Sequence, residues 1–457
     1  MKKRIIASLL TASMLAAALA GCGGSTAQTA DTSADAAGEA ESAQGDPATV
    51  TEKETNVSAT ADADLSGTTI TFWHSMSGVN GEALTALVDR FNEENTYGIT
   101  VDAEFEGEYD DAINKLKSSM VGGSGPDLIQ VYEIGTRFMI DSGWVIPMQE
   151  LMDANGYDNS NIVPNIAAYY TIDDQLYSMP FNTSTPILYY NKDMFDEAGE
   201  TYPTDLFDKG EWDWDAFMSM MKSFVNNADD GETRYGCTGW FGQALVQSTG
   251  QTIVNYDGTK FTNNVMNPEI EQAELILEEI AKTNLYDTAW HSFFPDDGSV
   301  LFYGMAPWAL SESNGKNPDG DIFLVPFPKM PGSDEYFLCT SFGAKMLVAN
   351  SDKGDAVAAY IKCERIAATD EQYTSAAREK ALIPTVNASG EKTKYITEEQ
   401  WDMWQSLMDP ANVTPVFDFG YGMGSRMTDE TYDYNTRGVM KNLTDALITK
   451  YEGAPSS

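Results

Sequence analysis

Between Thr68 and Tyr132 the hydrophobic period of the chain switches back and forth, and that rhythm constrains the fold more than any other feature. "TTITFWHS" alternates, with Ile70 and Phe72 on one side, which is the pattern of a strand. "NGEALTALVDRFNEEN" then sets Leu84, Leu87, Val88 and Phe91 at helical spacing. "GITVDAEF" alternates through Ile99, Val101, Ala103 and Phe105, and "YDDAINKLKSSM" returns to helical spacing through Ile113, Leu116 and Met120. After the turn "GGSGP", "DLIQVY" is a third strand. Strand–helix–strand–helix–strand predicts an open, mostly parallel sheet flanked by helices, an α/β fold. Ligands of such sheets sit beyond the carboxyl ends of the strands. The residues expected there are Trp73, His74 and Ser75, then Glu106 to Tyr109, then Glu133. Asp127 precedes its strand, so a turn role is expected of it.

With 457 residues the chain suits two lobes rather than one core. "WDWDAFMSMMKSF" and "NPEIEQAELILEEIAKTN" predict helices in the middle of the chain. "SFGAKMLVAN" then reads as a strand and "DKGDAVAAYIKCERIAA" as a capped helix, in the style of the opening segment. The expected organisation is lobe 1 from 68–182 and 341–384, and lobe 2 from 183–340 and 385–453. Repeated crossings between them would make a hinge.

The N-terminus carries Lys2, Lys3 and Arg4 before an apolar run from Ile5 to Ala20, which is the layout of a secretory signal. It ends in Leu19-Ala20-Gly21-Cys22, which resembles a bacterial lipobox. That resemblance implies removal of residues 1–21, lipidation of Cys22, and a membrane anchor made of lipid alone on the outer face of the cell membrane. Residues 22–67 hold no aromatics and few large apolar side chains. A segment of that composition cannot offset its ordering entropy and is expected to act as a flexible tether, reaching about 35–40 Å.

Cys237, Cys339 and Cys363 match no metal or redox spacing. The expected state of Cys363 is a buried free thiol, while a Cys237–Cys339 bridge is compatible with the compartment but not demanded. No metal and no cofactor is expected. The formal charge is −42, from 70 acidic and 28 basic residues. Nucleic acid is a poor partner for such a surface, because phosphates need clustered Lys and Arg.

"TFWHSMSG", "PDLIQVYEIGT", "PFNTSTPILYYNKDMF" and "GMAPWAL" together resemble the extracellular solute-binding proteins of bacterial ABC importers. The resemblance runs from about Thr69 to about Tyr451 and is strongest to the glycerol-3-phosphate-binding branch of the carbohydrate-binding family. It implies a two-lobed fold with a hinged cleft, a monomer, a small-molecule ligand, and delivery to the transmembrane subunits of a permease. It also implies that Phe181–Tyr190 crosses between lobes, with Asn182, Thr183 and Ser184 at the cleft floor and Tyr190 in the core. Tyr109, Glu133, Phe342, Gly343 and Tyr421 match ligand-contact positions of the family. Trp240 and Trp308 fall in Gly- and Pro-flanked loops rather than periodic segments, and a flat indole suits the apolar face of a pyranose.

Two departures from the glycerol-phosphate branch favour a neutral sugar. The branch's phosphate-binding arginine lies in a glycine-containing C-terminal loop, where alignment through the glycines puts Gly422 here, with Arg426 four residues on. The branch also has a small, serine-rich segment where this chain has "MAPWALSES". The expected ligand is therefore a mono- or oligosaccharide, with glycerol-3-phosphate or a related ester as the alternative. An enzyme is the rival class. Only His74 and His291 exist, without GxSxG or HExxH, although paired carboxylates of a glycosidase are not excluded by counting. A surface adhesin would lack an aromatic-lined cleft.

Overall fold

The computed structural model describes residues 64–452, apart from 77, 123, 133–135, 155–163, 179–180, 184–185, 284, 370–374, 376–377, 380, 410, 428–434 and 436. Cys22, the signal and most of the tether lie outside the described residues, as do Glu133 and Ser184. Leu65 already packs against the core, three residues before the expected start at Thr68.

Ten strands build two five-stranded sheets. In chain order they are β1 (Thr69–His74), β2 (Thr100–Phe105), β3 (Leu128–Val131), β4 (Phe181–Thr183), β5 (Ile187–Asn191), β6 (Tyr235–Gly239), β7 (Tyr286–Asp287), β8 (Val300–Met305), β9 (Ile322–Val325) and β10 (Ser341–Leu347). The first sheet runs β2-β1-β3-β10-β4 and the second β7-β6-β8-β5-β9. Each is parallel through its first three strands and antiparallel through the last two pairings. The mostly parallel sheet read from the opening segment is thus its β2-β1-β3 part, and the antiparallel part comes from β4, just before the chain enters the second sheet, and β10, where it returns.

Strands buried on both faces should be continuously apolar, and β8 ("VLFYGM") is buried at every position. The helices read from periodicity are present at Gly78–Glu94, Tyr109–Gly122, Trp214–Asn226, Pro268–Ala281 and Gly354–Thr369. Asp213 and Asn267 cap two of them, accepting from the amides of Ala216 and Glu269. Asp127 serves the turn as expected. Its carboxylate accepts from the Thr71 amide at 2.8 Å, the Ser351 hydroxyl at 2.7 Å and Lys353 at 2.8 Å.

The pairings also fix which sheet edges meet. β4 is antiparallel to β10 and β10 to β3, so Thr183 leaves the first sheet at the edge where β1, β2 and β3 end. β5 is antiparallel to β8, with Ile187 opposite Met305, so the chain enters the second sheet where β6, β7 and β8 end. Thr183 and Ile187 are four residues apart, at most about 15 Å along an extended chain. A second crossing is shorter. Phe337–Cys339 pairs with Thr414–Val416, and Thr340 alone separates it from β10. Ser341 in turn pairs with Thr183, so both crossings lie side by side.

Cys237 and Cys339 are free and buried, and Cys363 is free and half-buried. The bridge left open by the sequence is absent, and Cys363 is less buried than expected. Asp418 is buried and accepts from the amides of Ile253 at 2.7 Å, Val254 at 3.0 Å and Gly420 at 2.7 Å. Burial pushes its carboxyl up to about 6, against the pull of those three amides. Between its ordinary value and about 6 the folded state holds this proton and the unfolded state does not. This group therefore makes stability fall as pH rises through that window and adds no slope above it. Denaturant titrations from pH 4 to 7 should show this slope, on the order of 2–3 kcal/mol over the window, and its loss in Asp418→Asn. Equal slopes in both proteins would refute it.

Candidate ligand site

Three tryptophans lie just past the carboxyl ends of the three adjacent parallel strands of the second sheet. Trp240 directly follows β6, Trp290 follows β7 by three residues, and Trp308 follows β8 by three residues. Trp240 stands between the other two. Its ring centroid is 6.4 Å from Trp290, with planes at 44°, and 6.3 Å from Trp308, with planes at 72°. Trp240 and Trp308 are half-buried, whereas Trp290 is 65% exposed.

Each of the three loops is held by a tyrosine hydroxyl rising from the sheet. Tyr286 donates to the Gly239 carbonyl at 3.0 Å, one residue before Trp240. Tyr303 donates to His291 at 2.9 Å, one residue after Trp290. Tyr189 donates to Ala306 at 2.8 Å, two residues before Trp308. Burial pushes the Tyr189 and Tyr303 hydroxyls well above their ordinary value, so both remain protonated donors. The Trp290 loop has two further ties, His291 Nε2 to the Asp287 carboxylate at 2.7 Å and the Ala289 amide to Asp287 at 2.9 Å.

Glycine makes the turn into Trp240 feasible. Gly239 has φ of 92°, and a Cβ there would stand 2.2 Å from the Gly304 carbonyl oxygen. That carbonyl accepts from the Trp240 amide at 2.6 Å, which seats the loop across the strand end.

The matching edge of the first sheet carries a polar network. The Ser75 amide donates to Gln130 Oε1 at 3.2 Å, Gln130 Nε2 donates to the Tyr132 hydroxyl at 2.9 Å, and the Tyr132 amide donates to the Tyr109 hydroxyl at 3.1 Å. The rings of Tyr109 and Tyr132 meet edge to face at 5.0 Å. Phe105, the last residue of β2, is 52% exposed, its ring 6.0 Å from that of His74.

The family model described as bacterial extracellular solute-binding protein matches residues 77–363. The chain belongs to this family. Among its relatives, the sn-glycerol-3-phosphate-binding periplasmic protein UgpB of Pectobacterium atrosepticum is 40% identical over 136 residues, 29% of this chain and 30% of that protein. UgpB of Shigella dysenteriae is 33% identical over 224 residues, 47% of this chain and 50% of that protein. The chain thus spans at most half the length of these two relatives. The sugar-binding protein MalE of Xanthomonas citri is similar in structure, with a TM-score of 0.62 at 16% identity, over 84% of this chain and 98% of that one. UgpB of Mycobacterium tuberculosis, solved with glycerophosphocholine, gives 0.59 at 16% identity, over 84% and 98%. At such identities the likeness shows the fold, the two-lobed α/β architecture with an interlobe cleft.

In this solute-binding protein the residues named from sequence fall in different settings. Trp240 and Trp308 come together at the second lobe's edge. Trp73 and His74, expected in a loop, are instead the last two residues of β1 and are buried. The pattern "TITFWH" carries pairing with β2 through His74, two residues further than the hydrophobic alternation alone marks. The Trp73 indole donates to Glu104 at 2.8 Å, and the Lys115 ammonium lies 4.3 Å from its ring centroid. His74 accepts the Met76 amide at Nδ1, at 3.2 Å. Burial, then Lys345, lowers its pKa and keeps it neutral. Tyr109 opens a helix and supports Tyr132. Asn182, Phe342 and Gly343 lie in the paired strands at the hinge, and Gly343 is buried.

The glycine-rich stretch around Tyr421, expected as a loop, is a short helix, Tyr421–Arg426. Gly424 serves packing, since a Cβ there would stand 2.7 Å from Gln243 Cα in the helix Gly242–Gln247 that follows Trp240. Tyr421 is 37% exposed at the helix start, and Arg426 is exposed at its other end. Sequence reasoning missed Trp290. Its signal was present in "YDTAWHSFF", an indole after a two-residue strand too short to show alternation.

Removing one hydroxyl should loosen one loop. Tyr303→Phe should cost about 1 kcal/mol of stability and speed amide hydrogen exchange across 287–292 while leaving 238–242 unchanged. Unchanged exchange across 287–292 would show that the hydroxyl does not hold this loop.

Proposed function

We propose that the protein is the extracellular, lipid-anchored receptor of an ABC importer, and that it captures a neutral sugar between its lobes and delivers it to a membrane permease. The observation that carries the ligand class is the seating of Trp240 and Trp308 at the carboxyl edge of the second sheet, pinned by Tyr286 and Tyr189. Half-buried indoles on rigid loops offer large apolar faces at low entropic cost, which is what the C–H face of a pyranose requires. Tyr421, Asn182 and, on the sequence resemblance alone, Ser184 would add hydrogen-bonding groups for hydroxyls. Lobe closure would follow ligand capture, because contacts from both edges exist together only when the cleft is shut.

The second reading, glycerol-3-phosphate or a related ester, is favoured by the names of the relatives. Against it stands Arg426, five residues along the helix from Tyr421 and about 7 Å away along its axis. A phosphate contact by arginine depends on fork geometry, and Arg426 starts from a backbone position one helical turn beyond Gly422 rather than from Gly422 itself.

Isothermal calorimetry with a carbohydrate panel and glycerol-3-phosphate separates the two. Trp308→Ala should weaken sugar binding at least tenfold, about 1.4 kcal/mol or more, and Arg426→Ala should change it less than twofold. Tight glycerol-3-phosphate binding that collapses in Arg426→Ala, with Trp308→Ala nearly silent, would overturn the sugar reading.

The anchor has its own test. Cys22→Ala should be secreted into the medium, because a tether without lipid has no hold on the bilayer. Retention of that variant in the washed membrane fraction would refute the lipid anchor.

A further inference from the structure

We infer that the site takes an oligosaccharide of two to three pyranose rings, and that Trp290 is its outer platform. The inference rests on the sugar reading above and extends it to ligand length.

Its basis is the order of the second sheet. β7, β6 and β8 are neighbours and parallel, so their carboxyl ends line up, and each is followed by a tryptophan. Adjacent strands stand about 4.8 Å apart. The steps between neighbouring indoles, 6.4 Å and 6.3 Å, are wider than that, so the rings fan out along the edge rather than stacking into one slab. The planes turn by 44° and then by 72°. One flat sugar ring can therefore lie against only one indole at a time. Using all three faces takes a chain whose successive rings turn relative to one another.

Trp290 is the residue that distinguishes a chain from a single ring. Its indole is left in water at 65% exposure, yet the turn on either side of it is held by three bonds, from the Tyr303 hydroxyl to the His291 carbonyl, from the His291 ring to the Asp287 carboxylate, and from the Ala289 amide to Asp287. A tryptophan serving the core would bury its ring, and one on an idle surface would not need so firm a loop. A fixed loop with an open indole is pre-organised for a partner, since little freedom is left to lose on contact. Trp290 stands at the end of the row opposite Trp308, one strand beyond Trp240. With Trp240 standing between them, a ring seated on Trp308 would leave Trp290 to the next ring or two.

The test is calorimetry on the full mature chain with glucose and with linear glucose, mannose and xylose oligomers of two to five units. Affinity should rise at least tenfold from one ring to the best-bound oligomer and level off by three or four. Trp290→Ala should cost about tenfold for the trimer, less for the dimer and least for the single ring, with an unchanged melting temperature because the ring is exposed. Trp290→Phe should restore part of the loss. Affinity that is already maximal with one ring, a Trp290→Ala loss that does not depend on length, or failure of every oligomer to bind would overturn the length assignment. Tight glycerol-3-phosphate binding in place of any sugar would instead overturn the sugar reading on which it rests.

Discussion

The connection from Thr183 to Ile187 is the constraint from which the rest of the structure follows. It is only four residue steps long, and antiparallel pairing sets its direction at both ends. A chain that short cannot let the carboxyl edge of one sheet drift far from the carboxyl edge of the other. The return through Thr340 is shorter still, and its amide is held by Val416 at 2.8 Å. Because Thr183 and Ser341 are paired, the two crossings run side by side. A cleft between the two sets of strand ends is the geometric result.

What fills that cleft edge depends on a buried polar framework. Tyrosines are costly to bury unless their hydroxyls find acceptors. In the second sheet the hydroxyls of Tyr189 and Tyr303 find them in the carbonyls of the tryptophan loops, and Tyr286 does the same from the neighbouring strand end. The same bonds that satisfy the core therefore set the positions of the three indoles. The glycines at 239 and 424 complement this by permitting backbone approaches that a Cβ would block.

Much of the fold was legible in the sequence because hydrophobic period reports directly on element type. The opening three strands and two helices, the helix after Asp213 and the strand at Ser341 all follow from hydrophobic patterning. The site was legible in part. Trp240 and Trp308 stood out because Gly and Pro interrupt the pattern around them. Trp73 and His74 were read as loop residues because alternation says nothing about where pairing with a neighbour stops. Glycines usually end helices, so the stretch at Tyr421 reads as a loop, whereas Gly424 here lets two helices touch.

The sequence by itself determined the family, the α/β class and the residue types at the cleft, since these depend on local periodicity and on motifs contiguous in the chain. Only the tertiary structure decided which side chains share an edge. Trp240 lies 50 residues from Trp290 and 68 from Trp308 along the chain, and strand order alone makes them neighbours. That order is set by pairings between distant segments, β7 to β6 and β6 to β8, whose partners no local pattern names.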